Sequence, residues 1–318
     1  MDKKPSVEIF VLNYNGRELL AECLPSIVEA SRRTAYSCEL TVIDNDSRDG
    51  SVDFLNENFK NVRVIALHTN RVLCAFNDAV KESRAEFVLL LNNDLKVEVD
   101  FIDPLVDAFL MHKEAFLVAS KAFTFDLERY EGSLSKMSLK AGLLRVESRF
   151  RGFGRKIDKQ SFTMQAGFGA FRRDIFLRLG GFDDLYLPGT VEDSDLCFRA
   201  WKAGWACYYE PRSQVYHKGQ VSFKKKFGPS RLLAINQRNL HLFFWKNISD
   251  PWYWLSYLFW YFPRLLYFLL KGRPEFLWGA LEAFTYLPKA FSRRSSAYPD
   301  AGAKKLSDRA VFALSDSI

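Results

Sequence analysis

Four apolar-rich runs, Val7 to Leu12, Glu39 to Ile43, Val62 to Leu67 and Phe87 to Leu91, each break off into a polar cluster. Their Val, Ile and Leu content predicts strands. Their near-continuous apolarity is that of parallel strands covered on both faces. Helix-like stretches separate them: Arg17 to Ala30, Ser51 to Phe59 and Phe76 to Ser83. Strands alternating with helices predict right-handed βαβ units and a mostly parallel sheet. The strand ends then share one rim, which carries Asn13-Tyr14-Asn15-Gly16, Asp44-Asn45-Asp46-Ser47, His68-Thr69-Asn70 and Asn92-Asn93-Asp94. Ligands of open α/β sheets bind just beyond such carboxyl ends.

Farther on the pattern is less regular. Residues 101–118 read as helix, then strand. The basic, Gly- and Ser-dotted stretch 126–160 predicts a long excursion or lid. Order returns at Gly167-Phe168-Gly169-Ala170-Phe171, and a helix from Arg173 to Leu179 stops at Gly180-Gly181. A second helix is expected from about Ser194 to Ala203, then a strand over 205–210. From Ser292 the tail is polar and is expected to fray.

Composition narrows the partners. The chain has 318 residues, enough for one substantial domain plus an appendage. Its net charge of +7 favours anionic partners: nucleic acid, phosphorylated small molecules or acidic lipid. The five cysteines, Cys23, Cys38, Cys74, Cys197 and Cys207, are scattered and form no CxxC. This argues against a disulfide framework or structural zinc and for a reducing compartment. No signal peptide is read at Met1-Asp2-Lys3-Lys4-Pro5, because a strand-like run follows at once.

The first strand-to-helix turn has a single glycine, Gly16, so there is no dinucleotide fingerprint, and no Walker A sequence occurs. A sheet that binds a diphosphate without such a cradle needs another source of positive charge. Carboxylates holding Mg²⁺ or Mn²⁺ supply it. Asp94 is the leading ligand, although Asn-Asn-Asp after a strand also reads as a turn. Asp44 and Asp46 share that ambiguity, since they also lead into the next helix. Glu192-Asp193-Ser194-Asp195 crowds three carboxylates into four positions, an arrangement that a cation or a catalytic task would repay. Capping by Asp193 or Ser194 explains it equally well, and Asp195 is spaced to pair with Arg199. His217 follows a strand-like stretch and is either a structural residue or a ligand.

Taken together these segments resemble the family 2 inverting glycosyltransferases of GT-A fold, with rhamnosyltransferase-like members most similar. The matching text is Val11 to Gly16, Val42 to Gly50, Leu91 to Asp94, Gly180 to Asp184, Glu192 to Arg199, and His217 with Gly219 and Ser222. The resemblance implies an open, mostly parallel twisted α/β sheet flanked by helices. It implies a nucleotide site at Asn13, Asn15, Asp44, Asp46, Asn70, Asn92 and Asn93, with Asp44 on the base. Asn92-Asn93-Asp94 corresponds to the DxD element, with Asp94 and His217 as metal ligands. Asp193 is implied as catalytic base, and Glu192, Asp195, Arg199 and Gly169 lie toward the acceptor. Two departures stand out: Asn92 replaces an acidic residue common in relatives, and Val72 and Phe76 occupy a stretch that is normally glycine-rich.

The C-terminal third is aromatic. Lys224-Lys225-Lys226, Arg231, Arg238 and Lys246 precede a run from Trp252 to Leu270, with a second apolar run from Phe276 to Phe291. The first run approaches the length of a bilayer span, but Pro263-Arg264 near its middle favours interfacial or re-entrant helices at an acidic membrane over a true span. A dimer interface or a helical cap would use the same aromatics. No nucleic-acid-binding motif occurs.

The expected organisation is a transferase domain over 1–222, a basic and aromatic membrane-associating region over 223–291 and a polar tail over 292–318. The expected activity is metal-dependent transfer from a nucleotide-diphosphate sugar, dTDP-rhamnose for instance, to a lipid-linked or polysaccharide acceptor. The expected location is the cytoplasmic face of the cell membrane, as a peripheral protein and with room for a homodimer. The alternatives are a degenerate transferase serving as a membrane-bound partner, and a sugar nucleotidyltransferase.

Overall fold

The four apolar runs become β1 (Ser6–Asn13), β2 (Ser37–Asp44), β3 (Arg63–Ala66) and β4 (Phe87–Asn92) in the computed structural model, which describes residues 4–127, 129–219, 227–296 and 305–318. Lys224, Lys225, Lys226 and Ser222, singled out above, lie outside the described residues, as do 297–304 of the expected tail. The connecting helices are α1 (Arg17–Arg33), α2 (Ser51–Asn58) and α3 (Ala75–Glu82). Residues Ile9, Val11, Val88, Leu89 and Leu91 are wholly buried, as strands covered on both faces require.

Strands β3, β2, β1 and β4 lie side by side and parallel. The chain runs outward from β1 through β2 to β3, then returns to the other side of β1 as β4. Strand order therefore reverses at β1, which opens a crevice at its carboxyl end. Register puts Asn13 opposite Asp44 and Leu12 opposite Asn92, so the polar clusters flank that crevice.

The sheet continues through β11 (Gly169–Arg172), β6 (Ala115–Thr124) and β12 (Ala206–His217), with β5 (Leu95–Val97) paired to β12 and the helix α4 (Ile102–Met111) packed on β6 and β12. Strand β11 is antiparallel to both β4 and β6. It fits there because Gly169 has no side chain: a Cβ would lie 2.2 Å from the Val118 carbonyl oxygen. Gly169, expected near the acceptor, is thus required for strand packing.

The stretch expected to be an excursion is instead folded. It forms β7 (Tyr130–Gly132) on the edge of β6, the hairpin β8 (Lys136–Lys140) and β9 (Leu143–Glu147), α5 (Phe153–Lys156) and β10 (Ser161–Phe162). Polar sequence misled because Met137, Leu143 and Leu144 are buried by segments distant in the chain. Helices α6 (Arg173–Arg178) and α7 (Glu192–Lys202) follow β11. Val191, with φ 74°, precedes α7 and no side chain caps it, so Asp193 and Ser194 lie in the first turn rather than at the cap.

Four helices, α8 (Pro229–Asn247), α9 (Pro251–Leu270), α10 (Pro274–Thr285) and α11 (Leu287–Ser296), complete the described aromatic region, and α12 (Asp308–Asp316) ends the chain. Helix α8 is packed into the protein along most of its length. Its Arg238 and Lys246 are buried, pairing with Glu282 at 2.9 Å and with Asp195 at 2.8 Å, and Arg231 pairs with Glu282. Within the expected tail, the described residues Asp308–Asp316 are helical and packed. Asp308 accepts from the Ser249 and Asp250 amides at 2.6 and 2.7 Å, and Val311 and Phe312 are buried. Among the described residues, no helix is long and apolar enough to cross a membrane.

Candidate active site

The rim of β1, β2 and β4 is joined by side chains. Asn13 Nδ2 donates to Asp44 Oδ2 at 2.9 Å, and Asn93 Nδ2 donates to Asn13 Oδ1 at 2.6 Å. Gly16 makes room for this, since a Cβ there would lie 2.0 Å from Asn93 Nδ2. Asp44 Oδ1 also accepts from the Ser47 amide at 2.9 Å, which folds the turn after β2. Asn15 Oδ1 accepts from the Arg48 amide at 2.7 Å, and Asp46 pairs with Arg48 at 3.0 Å. Asn45, which sequence reasoning did not single out, ties in the loop after β3. Its amide reaches Asn70 Oδ1 at 3.1 Å and the Val72 carbonyl at 3.3 Å. Val72 itself has φ 49°, the left-handed region that a β-branched residue seldom occupies. Phe76, expected beside it in the pocket, is instead buried against Phe182.

Asp94 lies in the turn between β4 and β5, and β5 pairs with the end of β12, which brings His217 beside it. His217 Nε2 lies 3.3 Å from Asp94 Oδ2, and Nδ1 lies 2.6 Å from Glu131 Oε2. Burial acts to lower the His217 pKa, but hydrogen bonds and charge from Asp94 and Glu131 outweigh it and raise the value. Asp94 Oδ1 is buried and has no hydrogen-bond partner. With Nδ1 engaged by Glu131, Nε2 is the ring nitrogen turned to Asp94, the arrangement of a histidine held for metal binding. One hard oxygen and one imidazole nitrogen suit a divalent cation such as Mn²⁺. Among the described residues no three His, Cys, Asp or Glu side chains form a ready-made set, so a nucleotide's phosphates and water would fill the other positions.

Asp193 sits in the first turn of α7. Its Oδ1 accepts from the Ser194 amide at 2.7 Å and its Oδ2 from Gln165 Nε2 at 2.8 Å. Three residues beyond Gln165, the Phe168 ring packs on His217 with centroids 4.8 Å apart. The segment 165–168 thus links Asp193 at one end to the Asp94–His217 pair at the other. Beside Asp193, Glu192 lines a cavity of about 10 Å³ that faces Val72, Leu73 and Cys74. Glu192 Oε2 is enclosed and has no hydrogen-bond partner. Burial, and then the Asp193 charge, push Glu192 up to about 8.

Asp195 and Arg199, expected toward the acceptor, are both buried in a polar core. Asp195 accepts from Lys246 at 2.8 Å, Asn247 at 2.7 Å, Tyr186 at 2.7 Å and Arg199 at 2.7 Å. Burial works to raise its pKa, but Lys246 and Arg199 hold it well below the usual carboxylate range. With its oxygens taken, Asp195 anchors α7 to α8 and meets no acceptor. Sequence reasoning also missed Gln165 and Glu131, because neither sits in a periodic or motif-like context; only the sheet brings them to the rim.

Comparison with known proteins agrees with this architecture. The chain is 35% identical over 81 residues to "N-acetylglucosaminyl-diphospho-decaprenol L-rhamnosyltransferase" of Mycobacterium tuberculosis, covering 26% of this chain and 25% of that protein. The fold resembles that of GalNAc-T7, solved with UDP, GalNAc and Mn²⁺, at TM-score 0.59 and 18% identity over 76% of this chain and 48% of that one. It also resembles the mannosyltransferase PcManGT of Pyrobaculum calidifontis, solved with GDP-Man and Mn²⁺, at TM-score 0.53 and 17% identity over 99% and 81%. Several curated relatives are much longer, and the chain spans only 14% to 41% of their length. The sheet is thus a GT-A fold. The profile described as "Glycosyl transferase family 2" matches residues 8–180, more than half of the chain, which therefore belongs to that family.

Proposed function

We propose that this protein transfers a sugar from a nucleotide-diphosphate donor to a glycan or lipid-linked acceptor, with inversion at the anomeric carbon. The observation that carries this reading is the linkage through residues 165–168. An orphaned carboxylate oxygen on Asp94 and the Asp193 carboxylate lie at two ends of one short segment.

In this reading Asn13, Asp44 and Asn93, hydrogen-bonded to one another, shape the nucleoside site at the carboxyl end of β1. Asp94 and His217 hold Mn²⁺ or Mg²⁺, which when bound neutralises charge on the diphosphate leaving group. Asp193 accepts the proton of the acceptor hydroxyl, whose oxygen attacks the anomeric carbon opposite the diphosphate. As the new C–O bond forms, the bond to the diphosphate breaks and its electron pair leaves with that group. Gln165 and the Ser194 amide fix the base for this step. The name of the mycobacterial relative supports rhamnose as the sugar and a lipid diphosphate as the acceptor, which would set the reaction at a cytoplasmic membrane face.

Isothermal calorimetry against a panel of nucleotide sugars with Mn²⁺, followed by turnover with Asp193→Asn, tests the reading. Tight binding of one donor that persists in a variant unable to turn over supports it. Unchanged turnover in Asp193→Asn removes Asp193 as the base. A second reading, a transferase that no longer turns over, is favoured by Val72, which puts a side chain and a strained φ of 49° where backbone would meet the donor. Binding of no nucleotide sugar at all would decide for it.

A further inference from the structure

Helix α9 leaves an unusual amount of apolar surface in water. Trp252, Leu255, Leu258, Phe259, Phe262 and Leu266 are each more than half exposed, and Leu269 and Leu270 continue the row. At 100° per residue, the exposed large side chains from Leu258 round to Trp260 sweep an arc of roughly 200°. The protein side of the helix is the narrower one, held by Trp254, Tyr257 and Tyr261 against Phe244 and His241.

Charge is arranged to match. Residues 251–274 contain no acidic side chain. Arg264, the one charge inside α9, is turned inward: its Nη1 donates to the Ala141 carbonyl at 2.5 Å, and its guanidinium lies 5.6 Å from the Tyr257 ring. The outer arc is therefore uncharged. Exposed cations lie near this helix. Exposed Lys271 closes the helix with its ammonium 5.9 Å from the Tyr267 ring, and exposed Lys140 adjoins Ala141.

We infer that α9 lies in the headgroup and acyl boundary of an anionic bilayer, immersed along its outer arc, with Lys271 and Lys140 against lipid phosphates. A protein partner covers an apolar stripe little wider than 100° on a helix, so a second copy leaves much of this arc wet. A bilayer surrounds an immersed helix on every side that the protein does not hold. Trp and Tyr among the exposed residues are those that partition to the interface, and cations beside an acid-free apolar face bind acidic lipid. This rests on the reading above only for its lipid-linked acceptor.

The test is co-sedimentation of the whole protein with vesicles of phosphatidylcholine and of phosphatidylcholine mixed with phosphatidylglycerol, without any donor. Failure here is thus separate from failure of sugar transfer. The native protein is expected to sediment with the mixed vesicles and less with phosphatidylcholine alone. Phe259→Glu combined with Phe262→Glu should weaken binding by at least about 100-fold. Lys271→Glu should reduce the preference for the anionic vesicles. A native protein that stays in the supernatant, or a double variant that sediments equally, overturns the inference. So does a dimer in sedimentation velocity that the double variant dissolves while no vesicle is bound. Should the double variant fail to fold by circular dichroism, quenching of native tryptophan fluorescence by brominated lipid decides, and its absence overturns the inference.

Discussion

Gln165 donates a 2.8 Å hydrogen bond to Asp193, and so a glutamine outside every recognisable motif orients the carboxylate proposed as base. Gln165→Ala should leave donor affinity unchanged and lower kcat by up to about 100-fold, the scale of a misplaced catalytic group. Asp193→Asn should lose about 10²- to 10⁴-fold. Steady-state kinetics with donor held saturating checks both.

Glu131 stands to His217 as Gln165 stands to Asp193, at 2.6 Å from Nδ1. Glu131→Gln should weaken Mn²⁺ binding by about 10- to 100-fold, as loss of such an outer partner does elsewhere. The readout is electron paramagnetic resonance of free Mn²⁺ titrated with protein and a nucleoside diphosphate. Asp94→Ala should abolish that binding, and EDTA should abolish transfer.

The buried cluster around Asp195 makes a stability prediction. Removing this carboxylate leaves Lys246 and Arg199 buried with their main counter-charge gone. Asp195→Ala should therefore cost about 3–5 kcal/mol by urea unfolding. A loss below 1 kcal/mol would show that the cluster contributes little.

Glu192 makes a prediction in pH. Its ordinary value is 4.5, and the folded protein raises it to about 8. Between those values the native chain keeps a proton that the unfolded chain has released. Raising the pH across that window therefore withdraws stability, and the loss ends above about 8. Glu192→Gln should flatten the dependence and gain on the native protein toward pH 8, as read from urea midpoints across the window.

Local pattern was enough for the first half of the fold. Continuous apolar runs such as Phe87 to Leu91 have one low-energy use, a strand covered on both faces, and the polar breaks after them had to share a rim. Local pattern was not enough for residues 126–160, where β8 is covered by α12 and β9 by α8, both distant in the chain. Local pattern separated Asp193 from Asp195, two carboxylates on the same turn, only through the spacing of Asp195 to Arg199, which do pair. One meets Gln165, and the other is enclosed by Lys246 and Asn247.

The sequence by itself determined the parallel sheet, the rim residues and the candidacy of Asp94, Asp193 and His217, because periodicity and chain order act over a few residues. Tertiary structure alone decided which carboxylates meet solvent and which meet buried cations. It also decided that Arg238 and Lys246 brace the core while α9 keeps its aromatic arc outside. Those outcomes depend on partners tens of residues away, and the energy of a charge or an aromatic ring is set by what surrounds it in space.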